Sequence, residues 1–120
     1  MLRKKQDQRI INRAPGVDIQ VLVEPTEMYN AGRLCAKILL APGAALPPHM
    51  HENEMESFCV LRGTCKMTDN GETLYLNEGD VLVTLAGENH SIANDTDSPV
   101  ELMAMIISVK QGEDGRGVDI

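Results

Sequence analysis

Short apolar runs separated by turn-forming residues fill nearly the whole chain, and no window carries a convincing helical period. That pattern confines the fold to an all-β one. The strand-like runs are 9–12, 18–24, 33–41, 55–62, 64–69, 72–77, 80–85, 90–94 and 99–109. Residues 31–40 come closest to a helix, yet Cys35 and Ile38 suit a strand equally well. The clearest turn is Asp69-Asn70-Gly71, because a type I′ hairpin needs φ > 0 at both central positions and Asn-Gly tolerates it. Pro42-Gly43, Asn77-Glu78-Gly79 and Asp95-Thr96-Asp97 punctuate the remainder.

No repeat, low-complexity block or linker divides the 120 residues, so the expectation is a single domain over 1–120, large enough to bury its own core. Residues 1–17 read as an N-terminal arm and first strand, and 110–120 as a flexible C-terminal tail. With no Trp, one Phe and two Tyr, the core falls to Val, Ile, Leu, Met and Ala. A formal charge of −7 argues against nucleic acid, which requires a dense basic surface. The basic cluster Arg3-Lys4-Lys5 with Arg9 is diluted by Asp7 and reads as a solvated arm. No apolar run approaches a membrane span, and Gln6-Asp7-Gln8-Arg9 stand where a signal peptide would need apolar residues. The expected compartment is the cytoplasm. Cys35, Cys59 and Cys65 agree: they lack a CxxC spacing and each lies inside a strand-like run, as small buried hydrophobes do.

Two strands are apolar on both faces. In the last, Val100, Leu102, Ala104 and Ile106 share one side and Met103, Met105 and Ile107 the other. In 33–41, Leu34, Ala36, Ile38 and Leu40 oppose Cys35 and Leu39. Apolar surface on both sides of a strand needs a second layer or a partner subunit, and a homodimer is the expected assembly.

The chain has three histidines. His49 and His51 are two apart, so on a strand both imidazoles project from one face. Glu56 follows after one short turn, and His90 stands far along the chain at another apolar strand. Three neutral imidazoles and one carboxylate suit a first-row divalent ion, and four protein ligands in an octahedron leave two open positions. A bare His-x-His is weak evidence, but the glycines around it are regularly placed. Gly43, His49, His51, Glu56 and Gly63 satisfy G-x5-H-x-H-x4-E-x6-G at every fixed position. Gly79, Gly87, His90 and Asn94 satisfy G-x5-P-x-G-x2-H-x3-N, with Leu85 in place of the proline.

These paired motifs resemble those of the cupin superfamily. The resemblance implies a double-stranded β-helix, or jelly-roll barrel, holding one divalent transition metal ion per chain with His49, His51, Glu56 and His90. Fe, Mn, Ni, Zn and Cu are not distinguishable from sequence. Gly43, Gly63, Gly79 and Gly87 are expected at strand handovers. Asn94 shares parity with His90 and reads either as an orienting hydrogen-bond partner or as a turn former. Phe58 and Val60 share parity with Glu56 and are expected to line the cavity. Glu54 and Arg33 are the candidate catalytic groups. The competing expectations put Glu54 in an exposed connection with Glu52 and Asn53, and Arg33 on a solvated rim beside Lys37.

For function, the resemblance implies a metal-dependent oxidoreductase of dioxygenase type, or a lyase of decarboxylase type, on a small oxygen-rich molecule chelated to the metal. A non-catalytic metal-dependent binding or sensing module is the alternative, and a sugar isomerase or epimerase the third. The partner is a small molecule, with neither nucleic acid nor membrane. Relatives that decarboxylate oxalate carry an arginine shortly before the first metal histidine. Here that stretch is Ala44-Ala45-Leu46-Pro47-Pro48, so oxalate turnover is not expected.

Overall fold

Ten strands are formed among residues 1–109, the part of the chain that the computed structural model describes. They are β1 (Ile10–Ala14), β2 (Val17–Val23), β3 (Gly32–Leu40), β4 (Ala45–Met50), β5 (Glu54–Arg62), β6 (Cys65–Asp69), β7 (Glu72–Leu76), β8 (Val81–Thr84), β9 (Asn89–Ala93) and β10 (Val100–Ser108). The tail expected at 110–120 lies outside the described residues. A six-stranded sheet ordered β1-β2-β3-β10-β5-β8 faces a four-stranded sheet ordered β4-β9-β6-β7, with antiparallel pairing throughout. This is the jelly-roll double-stranded β-helix.

Nine strands match the apolar runs of the sequence. The tenth, β4, carries Pro47 and Pro48, which have no N–H to give to a ladder, and its register with β9 shifts between Leu46 and His49. It pairs nevertheless, because its two ends are held. The Asn70–Gly71 hairpin also forms, with φ of 51° and 87° at those residues.

Alternation decides what each strand buries. From the larger sheet, Ile38, Leu40, Phe58, Val60 and Leu102 point inward; from the smaller, Met67, Leu76 and Ile92 meet them. Cys35 and Cys65 are buried and Cys59 half-buried, all as free thiols, and burial pushes the Cys65 thiol up to about 11. The outward side of β10 (Met103, Met105, Ile107) is half-buried, while Leu61, Val81 and Val83 are exposed. The N-terminal arm is largely exposed, as expected, but two of its arginines are tied down. Arg3 pairs with Glu27 and donates to the Leu22 carbonyl at 3.1 Å, and Arg9 pairs with Glu24 at 2.8 Å. Arg3 and Arg9 find their acidic partners on the turn after β2, whose capping box joins Glu24 and Glu27.

The motif residues hold strands together across long stretches of chain. Gly43 N donates to the Asn94 carbonyl and Asn94 N to the Ala44 carbonyl, both at 2.8 Å, which fastens the start of β4 to the end of β9. Gly79 N reaches the Val60 carbonyl at 2.9 Å, and Gly87 N the His51 carbonyl at 2.9 Å. Gly63 has φ +82°, and a Cβ there would lie 2.7 Å from the Pro99 carbonyl oxygen; Gly79 has φ +89° with open space around it. Gly63→Ala therefore combines backbone strain with a collision and is expected to cost about 2–4 kcal/mol, whereas Gly79→Ala meets strain alone and costs about 1 kcal/mol. Urea unfolding of the two variants checks this order, and equal losses would contradict it.

Candidate metal centre

β4 and β9 bring the distant ligands together. His49 and His90 are directly paired residues of these neighbouring strands, so their side chains share the inner face. His51 follows one residue after β4, with its carbonyl held by Gly87, and Glu56 enters from β5 of the opposite sheet. One ligand atom from each of His49, His51, Glu56 and His90 lies within 4.8 Å of the other three. The imidazole centroids are 5.1 Å apart for His49 and His51, 4.2 Å for His49 and His90, and 5.4 Å for His51 and His90.

These atoms are poorly satisfied by the protein itself. His90 is 1% exposed and Glu56 4% exposed, and His51 Nε2, His90 Nε2 and Glu56 Oε1 are buried with no hydrogen-bond partner. His90 Nε2 and Glu56 Oε1 approach to 2.9 Å, and His51 Nε2 and Glu56 Oε1 to 3.3 Å, without hydrogen-bond alignment. Leaving such groups unpaired costs about 1–3 kcal/mol each, so their convergence on one point fits a cation. His49 Nδ1 lies 3.0 Å from the Pro47 carbonyl and donates to it, which leaves Nε2 free as a ligand. Burial lowers the His49 pKa from its usual value, against the raising effect of that hydrogen bond, and so favours the neutral imidazole that ligation needs. The four residues are thus positioned to bind a divalent metal ion.

Arg33 and Glu54 lie beside this cluster. Glu54 is the first residue of β5, paired with Ser108 of β10, and not part of an exposed connection as one reading expected. Its Oε2 accepts from Arg33 Nε at 2.7 Å, and its Oε1 is 3.4 Å from His51 Nδ1. Arg33 Nη2 is 3.1 Å from the same Nδ1. A guanidinium can only donate, so this contact makes Nδ1 an acceptor; ligation through Nε2 needs the proton on Nδ1 instead, with Glu54 Oε1 as the nearest carboxylate to take that bond. Arg33 lines the cavity above the cluster while its side chain stays about half exposed, so it sits at a solvated rim and reaches the site from there. A register shift between β3 and β10 interrupts the alternation and turns it that way.

The cavity has a volume of about 330 Å³, with His49, His51 and Glu56 on its wall beside Phe58, Ile92 and Ile106. Phe58 is in place, its ring centroid 5.5 Å from that of His90. Val60 is not: it is buried in the core, roughly 13 Å along β5 from Glu56 at the usual rise per residue, and the cavity ends before it. Asn94 serves the turn. Its Nδ2 donates to the carbonyls of Leu40 (3.1 Å) and Ser98 (2.8 Å), and its Oδ1 accepts from Thr96 N at 3.0 Å; no bond to His90 is among them. Leu85 explains how the missing proline is tolerated, since its N–H donates to Glu88 Oε1 at 2.7 Å, a bond proline could not make.

Sequence reasoning missed two residues. Arg13 lines the cavity, although nothing in its local pattern marks it. Asp69 is the direct cross-strand partner of His90 on the other side of β9, and burial, with Glu88 and Glu72 adding to it, pushes its carboxyl pKa up. The alternation of β6, with Cys65 and Met67 buried, was the signal for an inward Asp69.

The cupin-domain family model matches residues 36–107. The oxalate-binding protein of Thermotoga maritima is 37% identical over 103 residues, covering 83% of this chain and 85% of that protein. The crystal structure of a predicted oxalate decarboxylase from Thermotoga maritima superposes with a TM-score of 0.82 at 32% identity, covering 91% of this chain and all of the other. A mannose-1-phosphate guanylyltransferase of Klebsiella pneumoniae is 30% identical over 78% of this chain, which spans only 19% of that longer protein.

A metal that binds only the folded state stabilises it by roughly 3–4 kcal/mol at a few hundred-fold excess over Kd. Chelation is therefore expected to lower Tm by on the order of 10 °C, while the far-UV circular dichroism of the barrel persists because the apolar core does not depend on the ion. His90→Ala should remove most of that shift. Identical melting with and without chelator would contradict the site.

Proposed function

We propose that this chain, which belongs to the cupin family, binds a small organic carboxylate of the oxalate type through a divalent metal held by His49, His51, Glu56 and His90. The observation that carries the reading is the convergence of four ligand groups, three of their atoms buried and unpaired, at a cavity that three of them line and that also receives two arginines. A divalent ion in such a set offers two open positions to oxygen donors and polarises a chelated carboxylate. The protein's own residues do the rest. Pro47 orients His49, the Arg33–Glu54 pair flanks His51, and Phe58, Ile92 and Ile106 keep the wall apolar.

The similarity to an oxalate-binding protein and to a predicted oxalate decarboxylase supports the ligand class. The sequence-based reason to set oxalate aside was the lack of arginine in residues 44–48. Arg13 and Arg33 reach the cavity from other strands, so that reason no longer holds.

Catalysis at the same centre is the second reading, decarboxylase-like or dioxygenase-like. Glu54 favours it, as a carboxyl group beside the cluster able to take up or release a proton. Binding without turnover is preferred because Glu56, itself a ligand, is the only acidic side chain lining the cavity among the described residues. A sugar isomerase is the least supported, since Phe58 is the one aromatic ring there besides the histidines.

Calorimetric titration of the metal-loaded protein with oxalate tests the reading. Saturable binding at about one oxalate per metal, abolished by chelation, is expected. No binding of oxalate would overturn the proposal, and formate or carbon dioxide appearing in the same mixture would replace it with the decarboxylase reading.

A further inference from the structure

Two β-bulges aim arginines at the metal cavity. Between β1 and β2, Asn12 pairs with Asp18 and Ala14 with Val17, so Arg13 is an extra residue with no partner. Between β3 and β10, Leu34 pairs with Ile106 and Gly32 with Ile107, which makes Arg33 the extra residue. A bulge turns two consecutive side chains toward one face. Ala14 accordingly packs on the core while its neighbour Arg13 lines the cavity, and Leu34 and Arg33 line it together. Strict alternation would have sent Arg33 outward with Cys35 and Lys37. The first bulge is also fastened: Asn12 Nδ2 donates across it to the Ala14 carbonyl and to Asp18 Oδ1, both at 3.1 Å.

The two guanidinium groups are not equivalent. Arg33 is engaged by Glu54 at 2.7 Å and sits against His51. Arg13 makes no ion pair or side-chain hydrogen bond among the described residues, so its guanidinium is not already committed to a carboxylate of the protein. It stands at a cavity whose wall is otherwise largely apolar and whose metal centre would carry net positive charge. A free planar fork of N–H donors in that position is complementary to a carboxylate.

From this we infer that Arg13 receives a second anionic group of the ligand, so that the site selects small dicarboxylates: one carboxylate at the metal centre and the other on the Arg13 guanidinium. The inference rests on the proposed binding of carboxylates at the metal. A monocarboxylate uses the centre alone and gains nothing from Arg13.

The test is calorimetry of the Mn²⁺-loaded full chain with oxalate, malonate, succinate and acetate, for wild type, Arg13→Gln and Arg13→Lys, alongside the Mn²⁺ affinity of each. Arg13 is exposed, so both variants are expected to fold. Arg13→Gln should weaken the tightest-bound dicarboxylate by about tenfold or more, leaving acetate and Mn²⁺ affinities within about twofold, and Arg13→Lys should recover part of the loss. An unchanged dicarboxylate affinity in Arg13→Gln would overturn the inference and leave the proposed function standing. So would a loss shared equally by acetate. Failure of all four acids to bind wild type would overturn both.

Discussion

The pairing of β4 with β9 is the constraint on which the rest of the structure depends. These strands come from distant parts of the chain, and β4 is a poor strand by composition because of its two prolines. What holds it is the reciprocal backbone bonding between Gly43, Ala44 and Asn94 at one end and the Gly87–His51 bond near the other. Between those fastenings the register sets His49 opposite His90. The motif residues are therefore parts of one hydrogen-bonded frame whose product is the position of three imidazoles. Glu56 completes the set from the facing sheet, so the cluster also spans the two layers of the barrel.

Electrostatics follow from that frame. Buried nitrogen and oxygen atoms facing one another without partners are costly, and the core around them offers no compensation, since Phe58 and Ile92 are the close neighbours on the wall. A cation relieves that cost, which explains why a buried carboxylate and a nearly inaccessible histidine are kept in the apolar interior of a small domain. Outside the cluster the charge pattern reverses the character of the whole chain. The protein is acidic, yet the groups aimed at the cavity mouth are arginines, one tied to Glu54 and one free.

Much of this was legible in the sequence, for physical reasons that differ by element. Strand alternation on β5 and β10 placed Phe58, Leu102 and Ile106 correctly, because a period of two leaves little freedom once one face is buried. The two motifs located the four candidate ligands. Strand β4 escaped the apolar pattern because its fastenings are backbone bonds to residues that only the fold brings near. Arg13 was missed, and Arg33 left open between cavity and rim, because a bulge breaks the period on which parity reasoning relies, and pairing register is not written in local composition. Val60 failed for another reason: parity gives the face a residue occupies, not how far along the strand a cavity extends. Asn94 was open between two roles, and its hydrogen bonds to Leu40 and Ser98 belong to the turn.

The account stands on a single mononuclear centre built by four named side chains, and its most direct measurement is elemental analysis of the purified protein beside His49→Ala, His51→Ala and Glu56→Ala variants. About one first-row divalent ion per chain in the wild type, falling to a small fraction in each variant with the fold retained, is the predicted result. A wild-type protein that stays far below one ion per chain, even after loading with each of Mn, Fe, Ni, Cu and Zn and removal of the excess, would contradict it.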